Sequence, residues 1–511
     1  MRDLAERLSP ATDRNLDRAQ ITLLITILVA VLTLCSRSLW NGFARDDFKL
    51  IVHNQSLGNW AFLSNWLSPT WWSSRAPRTV FFRPVEHLWF ELNFALVGRS
   101  AIGWHALKIL LHLGVVLLVF RIARLLSGSI GAALLTALLF GLLPAHDDSV
   151  AWVTSPEPLA AALELAAFCF VIRSAQDGRP VSVGGLVFFA ISVLAFEGTI
   201  VFPLLVFLYS MLLDGERSGS IEHGLSSRRL MHATLVCVPY LIIAALYFWF
   251  RIAVLKTSEL PLLGPDPHRL HHSLSQVLAT IPTVVLSHLS IAVLPWASGP
   301  AHQVYWVDRF ASAAFLRPLA ILVLCVSSFL FGVWRSPRRN LYLFAASWFF
   351  ICLGPMLNLD YVEELVEDRW TYLSSFGWCL LLAEALLCLG QKRGLRVPAA
   401  ALATAIVVSY GVAMWQAEYY WRSDDIFVAR GLEMFPDSPK LLIVHAQQLE
   451  SRGDWKSAEQ DLLKLVRLRP DSRLYHFQLS LAEQHLGNRA AADSERAKSR
   501  TVKDGPNSDG R

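Results

Sequence analysis

Charge is scarce in this chain: Asp, Glu, Lys and Arg make up only 17% of its 511 residues, against 54% hydrophobic residues. With a mean hydropathy of +0.41, that balance excludes an ordinary soluble globular protein. Apolar runs of about 17–21 residues, the length a helix needs to cross a bilayer, recur along the sequence. Cysteine is sparse as well. Cys35, Cys169, Cys237, Cys325, Cys352, Cys379 and Cys388 all fall inside apolar runs and show no metal-like spacing. They read as small packing residues of membrane helices, which excludes a disulfide framework and a zinc site. No glycine-rich loop able to cradle a phosphate is present, so a cytosolic nucleotide substrate finds no support. No nucleic-acid partner is expected. Residues 1–20 mix four Arg with four acids and lack a cleavage pattern, so they read as a cytoplasmic leader to an uncleaved signal-anchor helix.

What is there is a series of candidate spans, at 21–40, 102–120, 130–145, 158–172, 181–197, 198–213, 231–250, 275–295, 314–333, 341–357, 370–390 and 398–416. Short basic connectors at Arg121/Arg124, Arg173/Arg179, Arg217/Arg228/Arg229, Arg335/Arg338/Arg339 and Lys392/Arg393/Arg396 mark the inner side. Three candidates lie between Arg229 and Arg335, so parity requires that one of them not cross. Segment 275–295 contains Pro282 and His288 and is approached through His268, His271 and His272. It reads as a re-entrant or interfacial helix within an outer loop, 251–313. In a rival solution 181–213 is one long span and 275–295 crosses. Both give about 11 transmembrane helices over 21–416, with the C-terminus outside.

The first outer loop, 41–101, carries six basic residues, among them Arg75, Arg78, Arg83 and Arg99, and the tryptophans 60, 66, 71, 72 and 89. Those cations suit an anionic lipid headgroup, and a surface helix is expected around 84–98. After Trp415 the composition turns polar. Pro436-Asp-Ser recurs as Pro470-Asp-Ser, Gly453 as Gly487 and Ala458 as Ala492, each 34 residues on. That period is the tetratricopeptide (TPR) signature and predicts an α-solenoid over 417–497, with 418–435 as a packing helix. Residues 498–511 read as a disordered tail. The fold class is thus all-α: a polytopic membrane domain followed by helical repeats.

Polar groups gather at the outer ends of the spans. Asp46 and Asp47 follow the first span, and paired acids disfavour each other's ionisation, which suits proton transfer. His146, Asp147 and Asp148 lie in the turn after the third span, Glu197 separates two apolar runs, and Asp360, Glu367, Asp368 and Arg369 lie between 341–357 and 370–390. Ionisable groups at membrane depth usually face a cavity, a partner or a substrate. Each also has a plainer reading: a solvated loop start for the acids, a hairpin cap for Glu197, and pairing of Arg369 with Glu367 or Asp368.

The ordered set resembles the transmembrane-and-TPR-repeat-containing proteins, and their bacterial relatives, of the GT-C glycosyltransferase superfamily. The matching stretches are Phe43-Ala-Arg-Asp46-Asp47 with Asn54 downstream, Phe82-Arg83-Pro84 leading to Asn93 and Gly98, His105 and His112, Pro144-Ala-His146-Asp-Asp148-Ser-Val-Ala-Trp152, Glu197-Gly198, and Glu367-Asp-Arg369-Trp-Thr-Tyr372. The resemblance covers nearly the whole chain. It implies a membrane enzyme that moves a sugar, such as mannose, from a polyprenyl-phosphate donor to an extracytoplasmic acceptor, often a protein hydroxyl. It further implies a first-loop acid as base, falling on Asp46 with Asp47 beside it. Arg83 and Arg369 would stabilise the lipid-phosphate leaving group, with His146, Asp148 and Glu197 shaping the pocket. No metal ligand is assigned, and the chemistry leaves room for a divalent metal. The repeats would present acceptor protein or a partner. The chain departs from many relatives at Pro156 and Pro158, which replace an Arg and an acid around Glu157, and at Phe196, which replaces a Lys.

Two other classes compete: a non-catalytic scaffold that merely anchors the repeats, and a transporter. A scaffold has no need of the acids, and a transporter expects repeats among its spans. The short loops suit a bacterial inner membrane with the site and C-terminus in the periplasm. The endoplasmic reticulum is the eukaryotic equivalent.

Overall fold

The computed structural model describes residues 16–68, 82–214, 227–255, 273–302, 304–357, 365–470 and 472–501. Arg75, Arg78, Trp71, Trp72, Arg217, His268, His271, His272, Asp360 and Asp471, with most of the leader and the last ten residues, lie outside that description.

All twelve apolar runs fold as helices. The first, α1 (Arg18–Cys35), starts at a capping box in which Asp17 and Gln20 satisfy each other's backbone N–H groups. Helix α2 (Pro84–Val97) occupies the part of the first loop where a helix is expected. Then come α3 (Ala101–Ser127), α4 (Ile130–Gly141), α5 (Glu157–Gln176), α6 (Val183–Ala195), α7 (Phe202–Tyr209), α8 (Ser227–Leu255), α9 (Leu274–Val293), α10 (Ala313–Trp334), α11 (Arg339–Leu353), α12 (Ser375–Gln391) and α13 (Arg396–Tyr420). Among the described residues nine helices are long and apolar enough to cross a bilayer, or ten if α4 is joined to Pro144–Ala151 across a 57° bend. Helices α6 and α12, of 13 and 17 residues, are shorter.

Segment 275–295 folds as one continuous helix, Leu274–Val293, with Pro282 inside it. Segment 181–213 is not one span: the backbone is extended at Phe196 and resumes as a 3-10 turn, Glu197–Val201. That break places Glu197 where two helices meet.

The membrane body is held by close packing of α3 on α4 and α5, α5 on α6, and α4 and α11 on α12. Phe168 of α5 sits among Phe344 and Trp348 of α11 and Tyr209 at the end of α7, with ring centroids 5.1–5.8 Å apart. At Gly377 the backbone of α12 lies so near α11 that an added Cβ would stand 2.1 Å from the Ala345 carbonyl oxygen, so only glycine fits. Helix α10 buries only Val333 and exposes Leu324, Phe331 and Trp334, a surface that belongs in lipid.

Among the described residues beyond α13 five helices follow: α14 (Asp424–Met434), α15 (Pro439–Ser451), α16 (Trp455–Leu468), α17 (Arg473–His485) and α18 (Arg489–Thr501). The pairs α15–α16 and α17–α18 start 34 residues apart, and Gly453 and Gly487 occupy the same turn with φ of 79° and 85°, a region that favours glycine. Ala458 and Ala492 are buried where the helices meet. Helix α18 carries regular structure to Thr501, four residues into the stretch read as a tail.

Candidate active site

The two first-loop acids separate. Asp46 is exposed, whereas Asp47 is wholly buried. Asp47 Oδ1 accepts from the Thr154 N–H at 3.1 Å and the Thr154 hydroxyl at 2.7 Å, and Oδ2 accepts from the Ala44 N–H at 3.1 Å. Burial pushes its carboxyl up to about 6, with those hydrogen bonds pulling the other way. The shift therefore comes from desolvation, not from a neighbouring Asp46 charge as the pairing suggests. Asp47 pins the loop to the turn after Trp152, and Asp46 is left at the open face.

Helix α3 supports that turn from beneath. His105, Lys108 and His112 lie one helical turn apart on its buried face. Lys108 Nζ donates to the Ser155 carbonyl at 2.5 Å and the Val153 carbonyl at 3.4 Å. His105 meets the Gly42 carbonyl at 3.2 Å, and His112 meets the Tyr372 hydroxyl at 2.6 Å. The Ser155 hydroxyl donates to Glu157 at 2.8 Å. One helix thus braces the first loop, the 153–157 turn and the segment after Arg369.

Arg369 lies on a 3-10 turn, Asp368–Thr371. Its guanidinium pairs with Glu367, approaches Glu157 at 3.7 Å and lies over the Trp152 ring at 4.5 Å. Its backbone N–H donates to Asp148 at 3.3 Å. Arg45 approaches the same Glu367 at 3.8 Å and the same Trp152 at 4.6 Å. Burial acts to raise the Glu367 carboxyl, but the charges of Arg369, Arg45 and Lys440 hold it below its usual range. Asp368 accepts from Gly299 N–H at 2.8 Å and meets His302 at 2.5 Å, which fixes the far side of the turn.

The second arginine, Arg83, meets Glu197 in a bidentate pair and stacks on Phe196, 4.8 Å from its ring centre. Glu86, one turn into α2, is buried beside it and pushed up to about 8 by desolvation, opposed by Arg83 and aided by Glu197.

Two crevices flank the Arg369 turn. One, narrow, is largely apolar: Ala160, Phe196, Val201, Cys352, Met356 and Trp370 line it, with Glu157 and Arg369 at its polar part. The other is lined by the polar side chains of Arg45, Asp148, His302, Glu367 and Asp368 of the membrane body and by Ser438 and Lys440 from the C-terminal helices. Arg83 joins the first crevice through Phe196. His146 reaches neither. It is buried behind them, bonded to the Ser375 hydroxyl at 2.9 Å and packed on Phe140 and Tyr372 with centroids 4.4 Å away. Among the described residues no three His, Cys, Asp or Glu side chains are arranged to hold a metal ion.

The sequence singled out Asp46, Asp47, Arg83, His146, Asp148, Glu197 and Arg369 but not Lys108, Glu86, Glu157 and Arg45 as functional residues. Lys108 carried a usable signal, since a lone lysine inside a 27-residue apolar helix is costly unless partnered. Glu157, between the two replacing prolines, links Ser155 to Arg369.

No family model matches the chain. It is similar to the mouse protein O-mannosyl-transferase TMTC3, 21% identical over 92% of this chain and 54% of the relative. The Drosophila melanogaster protein O-mannosyl-transferase Tmtc3 is 23% identical over 92% of this chain and 57% of the relative. Human protein O-mannosyl-transferase TMTC1 is more alike over a shorter stretch, 33% identical across 31% of this chain and 18% of its own. The chain therefore spans about half the length of the long-range curated relatives it matches. The ordered motifs, the all-helical membrane body and similarity along nearly the whole length agree: the chain is similar to the TMTC protein O-mannosyl-transferases.

Proposed function

We propose that the protein is a membrane glycosyltransferase that moves a sugar, mannose by analogy with the relatives' names, from a polyprenyl-phosphate donor to a Ser or Thr hydroxyl of a protein on the extracytoplasmic face. The observation that carries this reading is the apolar crevice with Arg369 at its polar end and Arg83 stacked behind its Phe196 wall. An apolar slot with a guanidinium at one end suits a lipid chain that ends in phosphate. A guanidinium has five N–H donors, so Glu367 can orient Arg369 without using all of them.

Asp46 is the base. As the acceptor hydroxyl oxygen bonds to the anomeric carbon, its proton passes to the Asp46 carboxylate, and the bond from that carbon to phosphate oxygen breaks. The electron pair leaves with polyprenyl phosphate, where Arg369 stabilises the developing charge while Arg83 holds the Phe196 wall from behind. The crevice on the other side of the turn, shared with the C-terminal helices, is the approach for the acceptor. Of the predicted residues, Asp47, Asp148 and Glu197 position others, and His146 braces the turn from behind. The test is transfer by purified protein, offered polyprenyl-phosphate sugars and a Ser/Thr-containing acceptor, compared with Asp46→Asn.

A further inference from the structure

Arg45, the residue before the proposed base, has a left-handed backbone, φ 53°. A non-glycine residue persists in that region only where its surroundings enforce it. Here the enforcing contacts come from three separate parts of the chain. Glu367 pairs with the guanidinium at 3.8 Å. Trp152 offers its ring at 4.6 Å and Phe427, on α14, lies at 5.7 Å. Asp424, at the start of α14, is raised by burial and drawn back by the backbone N–H and the charge of Arg45. Ala44 belongs to the same apolar cluster as Trp152, Trp421, Phe427 and Val428.

Resting on the transferase reading above, we infer that Arg45 is a positioning residue through which the first C-terminal helix, α14, sets the direction of Asp46. The C-terminal helices thus form part of the catalytic geometry as well as standing beside the acceptor crevice. The coupling is physical. Asp46 and Arg45 share a peptide bond, and displacing Phe427 removes one face of the slot that holds the guanidinium. Arg45 can then leave the left-handed region, which swings the Asp46 side chain away from the reacting hydroxyl. An error of an ångström in a base affects the chemical step far more than donor binding.

The test uses the full chain in lipid nanodiscs. Hydrogen exchange of residues 43–52 and sugar transfer are measured for wild type, Arg45→Gly, Phe427→Ala, Phe427→Leu and a remote control, Phe477→Ala. Arg45→Gly removes the backbone strain, so a loss there is not a folding defect caused by φ. Expected is exchange about tenfold faster over 43–52 in Arg45→Gly and Phe427→Ala, a smaller change in Phe427→Leu, and none in the control. In the same two variants kcat falls about tenfold or more while the donor KM stays within about twofold. Unchanged exchange in Phe427→Ala, or equal effects in Phe477→Ala, overturns the inference. An exchange response in a protein whose wild type transfers no sugar keeps the positioning role and removes the transferase reading.

Discussion

Arg83 and Glu197, 114 residues apart, face each other edge to edge, Nε to Oε2 at 2.7 Å and Nη2 to Oε1 at 2.5 Å. The pair joins the start of helix α2 to the break between α6 and α7, and so ties the first outer loop to the membrane body. Its partners are nearly sealed from solvent, with side-chain exposures of 11% and 2%. Breaking a buried pair on one side leaves an uncompensated charge and costs about 3–5 kcal/mol, whereas replacing both partners by apolar groups costs far less. Glu197→Ala should therefore lower the thermal midpoint in detergent more than Glu197→Leu combined with Arg83→Met. A double variant no better than the single one contradicts this.

Arg369 is held by Glu367 and lies over Trp152, an arrangement that depends on a planar guanidinium. Arg369→Lys keeps the charge and loses the stacked fork. The proposed role predicts a fall in kcat of about 100-fold or more, the scale of losing one donor to a developing anion. Transfer at the wild-type rate would show that the leaving phosphate is stabilised elsewhere.

Glu86 gives a pH signature. Its folded pKa is about 8 against an ordinary 4.5, so the folded protein retains a proton that the unfolded chain releases. The stability it contributes is complete below 4.5 and is lost as pH rises towards about 8. Glu86→Gln mimics the neutral acid and has no such loss. The difference in thermal midpoint between variant and wild type should thus move in favour of Glu86→Gln as the pH is raised from about 5 to about 9.

Asp47 behaves alike in a lower window, from 3.8 to about 6. Over that rise wild type loses about 3 kcal/mol relative to a chain in which the group does not titrate. Asp47→Asn should flatten that part of the stability profile. An unchanged profile would place the proton elsewhere.

The elements were legible because hydropathy and a fixed period survive without tertiary context. Apolar runs such as 102–120 and 314–333 declare themselves locally, and the turn glycines Gly453 and Gly487 repeat because the same left-handed turn recurs. The division of labour within the site was not legible. Asp46 and Asp47 are chemically identical neighbours, and only the packing of Thr154 against one of them makes it structural. The resemblance implied that His146 shapes the pocket, yet it turns towards Ser375 and Tyr372 in the core. Lys108 and Glu157 lie 49 positions apart in sequence, and their shared turn through Ser155 exists only once α3 and α5 have packed.

The central claim is that Asp46 accepts the proton of an acceptor hydroxyl during sugar transfer. It is tested most directly by assaying a panel of polyprenyl-phosphate sugars with wild type, Asp46→Asn and Asp47→Asn, with donor binding measured in parallel. The account predicts transfer by wild type, abolished in Asp46→Asn with donor binding retained, and reduced in Asp47→Asn. Equal transfer by wild type and Asp46→Asn, or no transfer from any donor, would contradict it.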